Sequence, residues 1–169
     1  MKVYLANGLF SAADQLFNRY IANEIRSKCS MIDLYVPQEN EALNDKMNFA
    51  DSLMIFNGDN RFLDDSLTLI AVIDGVEIDS GVAAEIGRFS MLCEKDILQN
   101  GKTNRRILAL YTDVRQQGTE NEKKINALKQ DPTENQFLYR NLYVVGAIKK
   151  YGKIFSSIES LVDYLQKNQ

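Results

Sequence analysis

Short apolar runs recur along the chain and predict the strands of a buried sheet. The clearest run, residues 67–73, is rich in β-branched and aliphatic side chains and is closed by the turn pair Asp74-Gly75. Such a run is typical of a strand covered on both faces, as in a parallel sheet. Three further runs predict strands of the same kind, at residues 3–6, 31–36 and 106–111.

Apolar residues at helical spacing separate these runs and predict helices between them. Ser11 is a suitable N-cap for the first helix, which extends to about residue 28. Further helices are expected at residues 41–56, 80–98 and 137–150, and from Ser156 or Ser157 to about residue 166. We expect the second to end near Asn57-Gly58 and Gly152 to cap the helix of residues 137–150. The polar segment 113–135 is expected to be partly irregular.

Strands that alternate with helices indicate an α/β fold. We therefore predict one domain over residues 1–169, a flavodoxin-like or Rossmann-like parallel sheet flanked by helices. In this architecture ligands bind beyond the carboxyl ends of the strands. Three predicted loops lie there, at residues 7–10, 37–40 and 74–85.

Composition excludes several reaction classes. The chain contains no His, which rules out Ser-His-Asp and Cys-His catalysis and zinc sites that need imidazole. Cys29 and Cys93 lack CxxC spacing, so we expect free thiols in a reduced compartment. Catalysis would therefore fall to carboxylates, hydroxyls, amides, Lys or Arg, or a bound cofactor.

Charge and hydropathy argue against two classes of binding partner, nucleic acids and membranes. The formal net charge of −3 argues against a nucleic-acid partner bound through a basic face. The apolar runs are far shorter than the roughly 20 residues that cross a bilayer, and no apolar signal segment follows Met1. We expect a cytoplasmic protein without a membrane partner.

The densest candidate chemistry lies in residues 74–85, where four carboxylates follow a buried strand and enter a helix. Asp79 or Ser80 would cap that helix, and Glu85 follows among small and apolar neighbours. A carboxylate on a packing face is costly unless it is paired or faces a cleft. The alternative is a surface Glu on an amphipathic helix. The acidity of this loop disfavours a phosphate cradle.

Two glycines in the same helix also need an explanation. Gly81 and Gly87 each lower helix propensity by about 1 kcal/mol relative to Ala. Close approach of a strand or of a ligand would favour them.

The pattern Asp74-Gly75 through Asp79-x-Gly81-x-x-x-Glu85-x-Gly87 resembles the signature of nucleoside 2-deoxyribosyltransferases. Residues 3–10 are similar to the first strand and loop of that family. Asn57-Gly58-Asp59, which lies upstream of Asp79, is also similar. Residues 139–146 are similar to a late helix that, in this family, reaches the site of a neighbouring subunit.

The resemblance implies an enzyme that moves 2-deoxyribose from one nucleobase to another in two successive displacements, with retention at the anomeric carbon. It implies Glu85 as the nucleophile and Tyr4 as a hydrogen-bond donor that orients it. Asp59 and Asp79 are the candidates for proton exchange with the base. From the residues alone, Tyr4 could instead be a core tyrosine, Asp59 a turn residue after a helix and Asp79 only a cap.

The resemblance also implies a set of substrate-binding residues: Asn7, Gly8, Phe10, Asp74, Gly81 and, from a neighbouring subunit, Asn141. Phe10 could stack on a base or cover the core, and Asn141 could be a surface residue. We expect 2′-deoxynucleosides and free nucleobases as substrates in nucleoside salvage. We also expect a homo-oligomer with shared active sites, and neither a metal nor an organic cofactor.

Two other functions stay open. A hydrolase of similar fold and nucleophile would use water in place of the acceptor base, on a 2′-deoxynucleoside or its 5′-monophosphate. The acidic loop, without an obvious basic cluster beside it, argues against a phosphorylated substrate. A non-catalytic module that binds nucleotides is the alternative from a different class.

Overall fold

The computed structural model of the chain describes residues 1–45, 47 and 49–168. In this part of the chain five strands form one sheet: β1 (Lys2–Ala6), β2 (Asp33–Tyr35), β3 (Thr68–Val72), β4 (Arg106–Leu110) and β5 (Gly152–Phe155). Their order is β2-β1-β3-β4-β5, and every neighbouring pair is parallel. The parallel α/β fold predicted from the sequence is confirmed.

Helices connect the strands: α1 (Ala12–Lys28), α2 (Glu41–Asn44), α3 (Ser52–Asp65), α4 (Ser80–Asn100), α5 (Glu122–Gln130), α6 (Leu142–Tyr151) and α7 (Ile158–Lys167). Short 3-10 turns lie at Pro37–Glu39, Val114–Gln116 and Pro132–Glu134. Ser11 caps α1 and Ser157 caps α7 through their side chains, as predicted. The polar segment 113–135 is partly ordered, since it contains α5 and two of these turns.

Alternation along the strands divides the core into two layers. Val3 and Leu5 of β1 pack in a cluster with α1 and α7. Tyr4 and Ala6 face the opposite side, in a cluster with residues of α3, α4 and α6. The sequence parity of β1 therefore directs the Tyr4 side chain toward the layer that contains α4.

The prediction of one helix at residues 41–56 is wrong, both in its extent and in where it ends. The described residues form two helices, α2 and α3, and the second continues through Asn57-Gly58 to Asp65. Asp51 sets its start, because its carboxylate accepts a hydrogen bond from the Met54 amide. Gly58 is accommodated inside the helix because α2 packs there: a Cβ on Gly58 would lie 2.7 Å from a Leu43 methyl carbon. Lys46 and Asn48 lie outside the described residues.

The prediction for residues 137–150 also needs correction. Helix α6 begins only at Leu142, after the cap Asn141. Gly152 is not simply a cap, since it opens β5, a strand that the sequence reading missed. A Cβ at Gly152 would lie 1.7 Å from the carbonyl oxygen of Ile107 on β4. The close approach of these two strands therefore explains the glycine.

Two further expectations concern the cysteines and membranes. Cys29 and Cys93 are free and buried, as predicted. Across the described residues, every helix is too short or too polar to cross a membrane.

Candidate active site

The candidate site lies at the carboxyl end of the sheet, where the connections from β1 and β3 leave toward opposite edges. Ligands of open α/β sheets bind at such a point. Tyr4 is the middle residue of β1, and α4 begins directly after the loop that follows β3. Glu85 projects from the second turn of α4, so two distant parts of the chain meet here.

Tyr4 and Glu85 form the central contact of the site. The Tyr4 hydroxyl donates a hydrogen bond to Glu85 Oε1 over 2.5 Å. The Tyr4 side chain is fully buried, and burial together with the charges of Glu85 and Asp59 raises its pKa. Tyr4 therefore stays a neutral donor that fixes one oxygen of the carboxyl group.

Glu85 is poised between its two protonation states at neutral pH. Burial raises the pKa of Glu85 to about 7, and the nearby charges of Asp59 and Asp79 add to that rise. The hydrogen bond from Tyr4 opposes it by favouring the carboxylate. A carboxyl group with this balance is available as an anion at pH 7 and above, in a partly desolvated setting.

Asp59 lies on α3 and faces the same site from the other side. Burial raises its pKa, while a hydrogen bond from Tyr35 lowers it. The Tyr35 hydroxyl donates to Asp59 Oδ1 over 3.3 Å. The sequence reading missed Tyr35, although a Tyr at the end of the strand next to β1 was a usable signal. The alternative that Asp59 is a turn residue is wrong, because Asp59 lies inside α3.

A cavity of about 430 Å³ opens between α3 and α4. The carboxyl-bearing residues Asp59 and Glu85 line it together with Gly81. The accessible surface of the other walls is mostly apolar, with Ile55, Phe56 and Ala84, and the polar residues Ser52, Asn60 and Arg88 also line the cavity. An apolar cavity with a few convergent polar groups is typical of a small-molecule site.

Asp79 and Gly81 shape the start of α4. Asp79 Oδ1 accepts a hydrogen bond from the Val82 amide over 3.1 Å, so Asp79 is the N-cap of α4. A Cβ at Gly81 would lie 3.0 Å from that same oxygen, which accounts for this glycine. Gly87 has no atom within 4 Å of such a position, so packing within the chain does not account for it. Asp79 is exposed at the start of α4, and a role in proton exchange with the base stays a prediction.

Asp74 has a structural role in this structure. Its two oxygens accept hydrogen bonds from the amide and the hydroxyl of Thr112, over 2.7 and 2.6 Å. These bonds tie the loop after β3 to the loop after β4. Within the chain, both Asp74 oxygens are hydrogen-bonded to Thr112. A direct contact between Asp74 and substrate stays a prediction.

The buried side-chain amide of Asn18 holds the loop after β1 through hydrogen bonds. Asn7 donates to Asn18 Oδ1 over 2.8 Å, and Asn18 Nδ2 donates to the Gly8 carbonyl over 3.0 Å. Asn18 is only 3% exposed, and the sequence reading missed its role. Phe10 is 77% exposed, so the alternative that it covers the core is wrong.

Asn141 lies at the start of α6, where its Oδ1 accepts hydrogen bonds from the amides of Tyr143 and Val144. The preceding residue, Arg140, is buried and reaches back to the acidic loop. Its guanidinium donates to the carbonyls of Gly75 and Val76 and lies over the Tyr111 ring. The segment before α6 and the loop that leads to Asp79 are therefore fixed to each other.

Within residues 1–45, 47 and 49–168, His, Cys, Asp and Glu side chains form no group of three or more that could hold a metal ion.

Comparisons with known proteins found a matching family model and similar solved structures. The family model of nucleoside 2-deoxyribosyltransferase matches residues 3–128. A conserved protein from Enterococcus faecalis V583 is 44% identical, with 100% of this chain and 99% of that chain covered and a TM-score of 0.86. A comparison with curated protein sequences gave no match.

Two more distant structures share the fold. A 2-deoxyribosyltransferase from Bacillus psychrosaccharolyticus is 16% identical, with 97% of this chain and 92% of that chain covered and a TM-score of 0.63. A 2-desoxiribosyltransferase from Leishmania mexicana is 18% identical, with 99% and 98% covered and a TM-score of 0.58.

The fold and the site define a parallel α/β protein with paired tyrosine–carboxylate contacts at the carboxyl end of its sheet. The family match covers three quarters of the chain. The chain belongs to the nucleoside 2-deoxyribosyltransferase family, which indicates a pentosyl-transfer type of enzyme that acts on nucleosides.

Proposed function

We propose that this protein transfers 2-deoxyribose between the nucleobases of 2′-deoxynucleosides, with Glu85 as the nucleophile. The observation that carries the proposal is the 2.5 Å hydrogen bond from the buried Tyr4 hydroxyl to Glu85 Oε1, at the wall of a cavity. One oxygen of the carboxyl group is thereby held, and the other is left for the reacting carbon.

In the first step a Glu85 oxygen attacks C1′ of the donor nucleoside. A C–O ester bond forms at C1′ while the bond from C1′ to the base nitrogen breaks. The departing base takes the bonding electron pair and receives a proton from an acid on its side. A 2-deoxyribosyl ester of Glu85 is left.

In the second step a nitrogen of an incoming base attacks C1′ from the side that the first base left. The ester bond breaks and its electron pair returns to Glu85. The incoming base loses a proton to the carboxylate that protonated the departing base in the first step. Two inversions preserve the configuration at C1′, as in retaining glycosidases.

Asp59 is the better placed of the two candidates for this proton exchange. It lines the cavity with Glu85, and burial raises its pKa, which favours the protonated form that a general acid needs. Asp79 is exposed, and its Oδ1 is engaged as the cap of α4. We assign proton exchange to Asp59 and placement of the base edge to Asp79.

Asn141 belongs to a second copy of the chain in this proposal. It is exposed at the start of α6, and its neighbours Leu142 and Tyr143 are exposed apolar residues. Such residues are suited to a contact between subunits. We propose a homo-oligomer in which this segment completes a neighbouring site, in a cytoplasmic enzyme of nucleoside salvage.

The test is to incubate the protein with deoxyinosine or thymidine, with and without adenine or cytosine, and to separate the products by chromatography. A new deoxynucleoside only in the presence of the second base supports transfer. Equal release of sugar in both incubations would contradict transfer and support hydrolysis. The matched control is Glu85→Gln, which keeps the shape of the side chain and should form neither product.

A further inference from the structure

A second tyrosine–carboxylate contact lies beside the first. Tyr35 is the last residue of β2 and is paired in register with Tyr4 of β1. Its hydroxyl donates to Asp59 Oδ1 over 3.3 Å, and the centroids of the Tyr4 and Tyr35 rings are 5.3 Å apart. Two adjacent strands thus each present a phenol to one of the two carboxyl groups of the cavity.

The Tyr35 ring and hydroxyl are both held in place. The ring stacks on Phe62 of α3, with centroids 3.8 Å apart and planes 9° from parallel. Asn40 Nδ2 donates a hydrogen bond to the Tyr35 oxygen over 2.9 Å. Because this oxygen already accepts from Asn40, the hydroxyl proton is free to point at Asp59. The result is a directed chain from Asn40 through Tyr35 to Asp59.

We propose that Tyr35, held by Asn40, is a positioning residue that orients the Asp59 carboxyl group toward the departing nucleobase. This inference rests on the proposed function, and within it on proton exchange through Asp59. A fixed donor to one oxygen of Asp59 leaves the other oxygen as the site that carries the proton. Correct geometry of the acid is needed before its protonation state can matter.

Four titratable or charged side chains surround Asp59 and can affect its pKa. They are Tyr4 from β1, Tyr35 from β2, and Glu85 and Arg88 from α4. Arg88 is engaged by two hydrogen bonds to Asp64 of α3. The Tyr35 hydroxyl is therefore the direct donor that favours the ionised form of Asp59 against the effect of burial. Its loss should raise the pKa of Asp59.

The experiment compares two donors in Tyr35→Phe, which keeps the ring and its stacking on Phe62. The base of deoxyinosine needs a proton in order to leave. For this donor we expect kcat to fall about 10-fold or more, which is part of the rate enhancement that a general acid supplies. We expect KM to change by less than about threefold. For 7-methyl-2′-deoxyguanosine, whose base is already cationic, we expect kcat within about twofold of the wild-type value, since no proton is required. The pH limb assigned to Asp59 should shift upward.

Three further variants complete the design. Asp59→Asn should also lower kcat for deoxyinosine and leave kcat for 7-methyl-2′-deoxyguanosine nearly unchanged. The double variant Tyr35→Phe/Asp59→Asn should be no slower than Asp59→Asn alone. Asn40→Ala should show a weaker form of this difference between the two donors. Tyr20→Phe, on the exposed surface of α1, is the matched control and should change neither donor.

The outcomes separate this inference from the proposed function. If the wild-type protein exchanges the base of neither donor nor of thymidine, the proposed function fails and the role of Tyr35 fails with it. If the wild-type protein acts on both and Glu85→Gln on neither, but Tyr35→Phe slows both donors equally or slows neither, the proposed function stands and the role of Tyr35 is wrong.

Discussion

The Tyr4 hydroxyl and Glu85 Oε1 lie 2.5 Å apart, although 81 positions separate these residues along the chain. The parallel sheet brings them together, because β1 ends beside the strand that leads into α4. Tyr4 itself is fully buried and so forms a rigid support. In the proposed enzyme this pair sets both the direction and the charge of the nucleophile.

Removal of the Tyr4 hydroxyl should shift the pH dependence of the reaction. In Tyr4→Phe the carboxylate of Glu85 loses a donor, so its pKa should rise above the value of about 7. A hydrogen bond to a charged group is worth about 1.5–3 kcal/mol, so kcat/KM at pH 7 should fall by roughly 10-fold or more. The measurement is a pH profile of kcat/KM, whose ascending limb should move to higher pH. An unmoved limb, with Tyr20→Phe as control, would contradict this role.

Glu85 should make the stability of the protein depend on pH. Its pKa rises from 4.5 in the unfolded chain to about 7 in the fold, so between these values the folded state binds more protons. Stability should therefore fall as pH rises through this window. Glu85→Gln should remove that loss of stability, which is on the order of 3 kcal/mol at pH 8 and small near pH 4.5. Thermal melts at both pH values check this, and a wild-type protein that melts higher than Glu85→Gln at pH 8 would argue against it.

Arg140 should stabilise the loop that carries Asp79. Its guanidinium donates to the Gly75 and Val76 carbonyls, and the residue is 7% exposed. Arg140→Met removes these bonds and should lower the free energy of unfolding by about 2 kcal/mol. Denaturant titration measures the loss. Arg88→Met, which breaks an ion pair with Asp64 in which both side chains are exposed, is the control and should change stability by less than about 0.5 kcal/mol; equal effects of the two substitutions would contradict this role of Arg140.

Two glycines provide a matched test of the sheet. Gly152→Ala would place a methyl group 1.7 Å from the Ile107 carbonyl oxygen, so the edge strand must move. We expect a loss of about 3 kcal/mol. Gly146→Ala, inside α6 with no atom within 4 Å, should instead stabilise the protein by about 0.5–1 kcal/mol. Melting temperatures that move in the same direction would contradict the account of β5.

The sequence predicts the alternating fold well, because the buried runs around Tyr4 and residues 67–73 carry a clear strand signal. It misses β5, because Gly152–Phe155 is short and directly follows a helix with no turn residues between them. It also misplaces the boundary of α3, since Asn57-Gly58 has the composition of a turn. Only the packing of Leu43 against Gly58 shows why a glycine occupies a position inside this helix.

The candidate site divides in the same way. The spacing of Asp79 and Glu85 at the start of one helix is visible in the sequence, and so is a Tyr in the first predicted strand. The contact of Tyr35 with Asp59 is not visible, because it depends on strand register and on the stacking of Phe62. The bonds from Thr112 to Asp74 and from Asn18 to Gly8 likewise join segments that no local pattern connects.

The most direct test of the central claim is to trap the ester at Glu85. The protein is mixed with deoxyinosine in the absence of an acceptor base, quenched in acid, digested and analysed by peptide mass spectrometry. The account predicts one added 2-deoxyribosyl group on the peptide that contains Glu85, absent in Glu85→Gln and removed when adenine is added before the quench. An unmodified Glu85 peptide, together with base exchange at the wild-type rate in Glu85→Gln, would contradict it.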